Sequence, residues 1–155
     1  MRLPTIIAAT AIAATAGVAL AESHASLPPA VKARQAHMQI YAFNLGVLGA
    51  IAKGEMEYDA AVATAAATNL LSQSQMNQML YWTPDTDEMS VDGSRALPAL
   101  WENLEDAQAK GLALTTAAEA MVGAAGEGVE AIQAQMGAVG GACGACHKAY
   151  RAPES

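Results

Sequence analysis

The sequence predicts an all-α protein, an antiparallel four-helix bundle, and three observations carry that expectation. Thirty-eight of the 155 residues are alanine, the strongest helix former. Only 5% of the chain is aromatic although 53% is hydrophobic, and β-branched residues are sparse, which excludes a strand-rich sandwich. Apolar residues also recur at helical spacing in four long segments, and most of the links between them are short.

The first helix opens at the Pro28-Pro29 pair after Ser26 and repeats apolar positions at Val31, Met38, Tyr41, Leu45, Leu48 and Ala52, until Gly54 stops it. The second is capped by Asp59 and carries Val62, Ala66, Leu70, Met76 and Leu80. A polar connection spans residues 81–96. The third starts near Pro98 with Leu100, Trp101, Leu104, Leu112, Ala118, Met121 and Val122, and Gly123, Gly126 and Gly128 break it. The fourth runs from Val129 through Ile132, Met136, Val139, Cys143 and Cys146 to Tyr150.

Residues 1–21 stand apart from this domain, which is expected over residues 22–155. Arg2, an apolar run from Ile6 to Val18 and the small-x-small site Ala19-Leu20-Ala21 form a secretory signal. Its removal leaves seven Lys and Arg against fifteen Asp and Glu, a formal charge of −8. An exported, periplasmic protein without stable membrane insertion is expected. The acidic balance and the lack of a basic run in the sequence exclude nucleic-acid binding, and favour encounter with a basic partner.

The chemistry concentrates in Cys143-Gly144-Ala145-Cys146-His147. C-x-x-C-H is the attachment signature of haem c. Two thiols one helical turn apart span the two vinyl groups of a porphyrin edge, and the adjacent histidine offers a nitrogen to the iron. A thiol–disulfide oxidoreductase would carry its cysteine pair at a helix start after a strand. A zinc site would need a second ligand pair nearby, and a structural disulfide leaves His147 unexplained. No nucleophile–base constellation stands out, so an electron-transfer protein is expected rather than an enzyme.

The motif lies near the C-terminus, in the last helix, and continues Lys148-Ala149-Tyr150-Arg151. This C-x-x-C-H-K-x-Y-R resembles cytochrome c′ and the class II c-type cytochromes, with support from Arg34-Gln35, Thr86-Asp87 and the stretch beginning at Trp101. The resemblance implies a bundle enclosing one covalently attached haem. It implies His147 as the proximal iron ligand and Arg34, Gln35, Thr86 and Asp87 around the haem. Arg34 also falls on the apolar stripe of the first helix, where a guanidinium needs an anion such as a propionate, or else an outlet to solvent.

Met38 matches the distal position of that family. A thioether there gives six-coordinate, low-spin iron suited to electron transfer, as in the c-556-type branch. The alternative is a five-coordinate iron open to small gases such as NO and CO. His37 projects about 100° away from Met38 and is expected on the surface, as is His24. Trp101 and Tyr150 are candidates to pack on the porphyrin, and Lys148 and Arg151 to reach its propionates or to complement the helix end. Redox partners in the periplasm or its membranes follow from the resemblance. So does pairing of two copies through the first two helices, where Ala60, Ala61, Ala63 and Ala67 would permit close approach. A porphyrin also supplies the bulk that an alanine-rich core lacks.

Overall fold

A computed structural model of the chain describes residues 27–153; residues 1–21, expected to be a signal segment, and His24 lie outside the described residues. Five helices follow in order: α1 Pro29–Lys53, α2 Ala60–Ser74, a short α3 Ala99–Glu102, α4 Leu104–Ala125 and α5 Val129–Tyr150. The four long ones form the bundle. No β-strand occurs among the described residues, which contain one isolated bridge, Ala96 with Arg151. None of the described helices is long and apolar enough to cross a membrane.

The helix ends follow local chemistry. Pro29 stands at the start of α1, where its missing N–H costs nothing. Gly54 closes α1 at φ 75°, a conformation that favours glycine, and lets Gly54 and Glu55 donate back to Ile51 and Ala50. The Asp59 carboxylate accepts from the Val62 amide at 2.9 Å and caps α2.

Three boundaries differ from the sequence expectation. Helix α2 ends at Ser74, whose hydroxyl donates to the Leu71 carbonyl at 2.8 Å. Met76 and Leu80 are therefore exposed rather than on its faces. The third helix is split at Asn103, whose side-chain amide donates to the Ala99 carbonyl at 3.0 Å while its backbone leaves the helical region. Gly123 sits inside α4, and the break comes at Gly126 and Gly128.

Leu48, Ile51, Leu70, Met121, Ile132 and Val139 are fully buried, with Ala63, Ala66, Ala67, Ala117, Ala118 and Ala125 between them. The small alanines let α2, α4 and α5 approach closely. Ala63 and Ala67 thus belong to the core of the bundle itself, and of the four alanines expected at a pairing surface Ala60 and Ala61 are exposed. Helix α5 packs extensively on α4 but sparsely on α1. That looser side carries the candidate site.

Candidate haem site

Two contacts set α5 against α1. The Gln133 amide donates to the Ala52 carbonyl at 2.6 Å, and the Met136 methyl lies 3.6 Å from where a Cβ on Gly49 would stand. The helices are antiparallel, and eleven residues further along each from that contact stand Met38 in α1 and His147 in α5. Along the α5 face that begins at Gln133 come Gly137, Gly140 and Gly144, and a Cβ on any of them would meet nothing within 4 Å. Helical spacing puts them on one stripe beside His147. From α1, Met38 and Leu45 are half-buried and pack against the edge of the core. Open space therefore lies along the half of α5 that carries the attachment motif.

Cys143 and Cys146 are one turn apart on the core side of α5, half-buried, with free thiols. Burial pushes both thiols above the ordinary range. Cys143 is near enough to Tyr41 of α1 to help burial push that phenol up to about 12. Burial lowers the His147 pKa, and the neighbouring Arg151 and Arg95 lower it further, so its imidazole is held neutral, as a ligand nitrogen must be. The two thiols, the neutral imidazole and the glycine-lined space fit covalently attached haem.

The end of α5 is held from two sides. The Tyr150 hydroxyl donates a short hydrogen bond to Asp106 of α4, which also accepts from Lys110 at 3.1 Å. That bond pushes the Tyr150 phenol up to about 12 and draws the Asp106 carboxyl down. On the other side Leu97 donates to the Tyr150 carbonyl and Ala152 to the Arg95 carbonyl, each at 2.9 Å. The Arg95 guanidinium in turn donates to the Ala152 carbonyl at 2.7 Å. An open pocket of about 600 Å³ borders this end, lined by Arg95, Gly144, His147, Lys148, Arg151, Ala152 and Pro153.

Arg34, Gln35, Thr86 and Asp87 gather where α1 meets the long connection. Arg34 is buried and donates to the Tyr81 carbonyl at 3.3 Å, the Thr86 hydroxyl at 2.8 Å, the Ser94 hydroxyl at 2.7 Å and, in a shorter bond, the Thr86 carbonyl. Its guanidinium also lies over Trp82 and Trp101, 5.3 and 5.9 Å from the ring centroids. Its acceptors here are neutral oxygens; Asp87 acts on it only through its field, against the desolvation that lowers the Arg34 pKa. Gln35 donates to the Gly93 carbonyl at 2.9 Å. Asp87 accepts from the Met89 and Ser90 amides and the Ser90 hydroxyl, which lowers its pKa and folds a tight turn. Arg34, Gln35 and Thr86 act together as a clamp that lays the connection on α1, and Asp87 tightens the turn beside it. Sequence reasoning missed Ser94 and Trp82; a tryptophan inside an otherwise polar connection was the available signal.

His37 overturns its sequence expectation. It is 5% exposed, edge-on to Tyr41 at 4.7 Å and tilted against Tyr81 at 5.7 Å. The buried stripe of α1 runs His37, Tyr41, Asn44, Leu48, Ile51, and Met38, Leu45 and Ala52 lie on its flank. Burial lowers the His37 pKa, a bond to the Gln73 backbone raises it, and Nε2 has no hydrogen-bond partner. A neutral, buried imidazole satisfies that position.

The sequence profile of the family described as Cytochrome C′ matches residues 29–151. The chain is 37% identical to a cytochrome c′ of Cereibacter sphaeroides over 79% of its length and 80% of the relative's. It is 37% identical to a cytochrome c-556 of Agrobacterium fabrum over 59% of its length and 60% of the relative's. The solved cytochrome c′ of Rhodobacter sphaeroides superimposes with a TM-score of 0.78 at 38% identity, covering 81% of this chain and 96% of that one. The chain belongs to the cytochrome c′ family of haem electron carriers, and Cys143 and Cys146 are the thiols it keeps for the family's covalently attached haem c.

Proposed function

We propose that this protein is an exported monohaem electron carrier whose iron is bound by His147 and Met38. The observation that supports the reading is the α1–α5 register at Gln133–Ala52 and Met136–Gly49, from which Met38 and His147 stand equally many residues away along their helices, beside the open glycine face of α5. Haem, when bound, supplies a one-electron iron couple. The chain's part is to hold, orient and shield. Cys143 and Cys146 anchor the group, the clamped end of α5 fixes the imidazole of His147, and Met38 reaches from α1 with an uncharged thioether. With His147 and Met38 both holding the iron, the protein would leave no open position for a substrate, in keeping with electron transfer rather than catalysis.

Arg34 and Gln35 begin the same helix face one turn before Met38 and face the propionate side of the group. Thr86 and Asp87 hold that edge through the clamp. The raised thiols argue against a disulfide oxidoreductase, which needs a stabilised thiolate.

Residues 1–21 direct export to the periplasm and precede a mature domain of residues 22–155. Ile40 and Phe43, one turn apart on α1 and 44% and 71% exposed, and Val62 at the start of α2, 45% exposed, are apolar surface suited to pairing two copies through α1 and α2. Sedimentation of the haem-loaded protein checks the pairing.

The deciding experiment is an optical spectrum of the oxidised and reduced protein, repeated with carbon monoxide. Low-spin bands in both states and no reaction with carbon monoxide are expected. A high-spin oxidised spectrum and ready binding of the gas would replace the carrier by the five-coordinate, gas-binding form.

A further inference from the structure

Methionine carries a sulfur that oxidants convert to a sulfoxide, turning a flexible apolar side chain polar. Where the thioether stands decides what that change does to a fold. The chain has 8 methionines. Met121 is fully buried, and Met38 and Met136 are half-buried against the core. Met56 and Met76 are more open, while Met79 and Met89, 73% and 83% exposed, are the most exposed methionines among the described residues.

Met79 and Met89 both lie between α2 and α3, and the same local device holds each of them. The Met79 amide donates to the Asn77 side-chain oxygen at 3.0 Å, and the Met89 amide donates to the Asp87 carboxylate at 2.8 Å. In each case a side chain two residues earlier fixes the methionine backbone in a turn. Neither thioether belongs to the buried core or to the half-buried residues packed on it. The backbone at both places is therefore set without help from the sulfur. A sulfoxide oxygen added there meets water. At Met121 the same dipole would enter a packed apolar interior and lose its hydration.

We propose that Met79 and Met89 are oxygen-accepting sites for two-electron oxidants of the hydroperoxide class, oxidised ahead of every other described methionine and without change to the fold or to the site on α5. The thioether sulfur attacks one peroxide oxygen and donates an electron pair to it. An S–O bond forms as the O–O bond breaks. The sulfur is oxidised by two electrons to the sulfoxide, and the departing oxygen takes up the proton and leaves as water or an alcohol. Methionine sulfoxide reductases restore the thioether. Oxidant is thus consumed at the surface before oxygen reaches the core or Met38. Both sites keep this chemistry whether or not Met38 binds iron.

The test treats the haem-loaded ferric protein with limiting hydrogen peroxide and locates the added oxygen by peptide mass spectrometry. Met79 and Met89 should gain oxygen about tenfold faster than Met121 and Met136, with optical spectrum and helicity unchanged. A double variant, Met79→Leu with Met89→Leu, keeps the volume of both side chains and should lose the fast uptake while retaining the slower uptake elsewhere. Oxidation driven by the iron would instead mark groups beside the attachment motif, such as Met38 and Tyr41. First oxidation at Tyr41 or at any other methionine overturns the assignment. So does fast uptake that persists in the double variant, or an optical spectrum that changes in step with oxygen at Met79 and Met89.

Discussion

The Gln133 side chain donates to the carbonyl of Ala52 at 2.6 Å, fourteen residues before His147 in α5 and fourteen after Met38 in α1. At a rise of about 1.5 Å per residue, that contact sits about 20 Å along α1 from Met38 and about 20 Å along α5 from His147. The close end of the helix pair therefore sets the geometry of the open end. Loss of the bond by Gln133→Ala should cost about 1 kcal/mol of stability, measured by urea unfolding of the haem-bound protein.

Met38→Ala removes the thioether at the distal level. The oxidised protein should change from a low-spin to a high-spin optical spectrum, and the reduced protein should gain carbon monoxide binding. His37→Phe, one residue away on the buried stripe, should leave the low-spin spectrum intact, since its ring faces Tyr41 and Tyr81.

Arg34 joins α1 to the long connection through Tyr81, Thr86 and Ser94. Arg34→Ala leaves the buried hydroxyls of Thr86 and Ser94 short of a donor and should cost about 2–4 kcal/mol in unfolding free energy. Lysine keeps the charge but loses the planar fork, so Arg34→Lys should recover only part of that stability. Trp82 and Trp101, both under the guanidinium, give a fluorescence readout of the same change.

The Tyr150–Asp106 bond makes stability depend on pH at both ends of the scale. The Tyr150 phenol is raised from an ordinary 10 to about 12, so its contribution is fully present below the ordinary value and is lost as pH rises through the folded one. Asp106 is lowered, so its contribution is present above the ordinary carboxylate range and is lost as pH falls through the folded value. Thermal unfolding midpoints against pH should decline at both extremes. Tyr150→Phe should remove its part of the alkaline decline and most of the hydrogen-bonded part of the acid one.

Gly140 faces open space on α5. Leucine there would fill the space that the proposed function gives to the porphyrin, while improving helix propensity by about 0.8 kcal/mol. Gly140→Leu should therefore lose haem incorporation, read by absorbance per protein, without loss of helicity by circular dichroism. A fully haem-loaded Gly140→Leu protein would contradict the placement of the group along this face.

Much of the molecule was legible in the sequence because its determinants are local. Pro29, Gly54 and Asp59 start and stop helices through their own backbone and side chains. Cys143, Cys146 and His147 form their site within little more than one turn, so spacing alone identifies it. The end of α2 at Ser74 and the break at Asn103 were missed because side-chain bonds to neighbouring carbonyls competed with continued helix. Burial of His37 was missed for another reason. The apolar positions of α1 form two adjoining stripes, one fully buried in the bundle and one half-buried on its flank, and a wheel drawn on hydrophobicity merges them.

By itself the sequence determined the helical class, the attachment chemistry and the helix ends at Pro29, Gly54 and Asp59, because each depends on contacts within a few positions of the chain. Only the tertiary structure decided which neighbour each face meets. The α1–α5 register set by Gln133 with Ala52 and by Met136 with Gly49 is one case, and the closure of Thr86 and Ser94 on Arg34 is another. The cation-lined pocket assembled from Arg95, Lys148 and Arg151 is a third. Periodicity fixes an angle about one helix axis; the distance between two axes and their relative slide come from packing across the whole bundle.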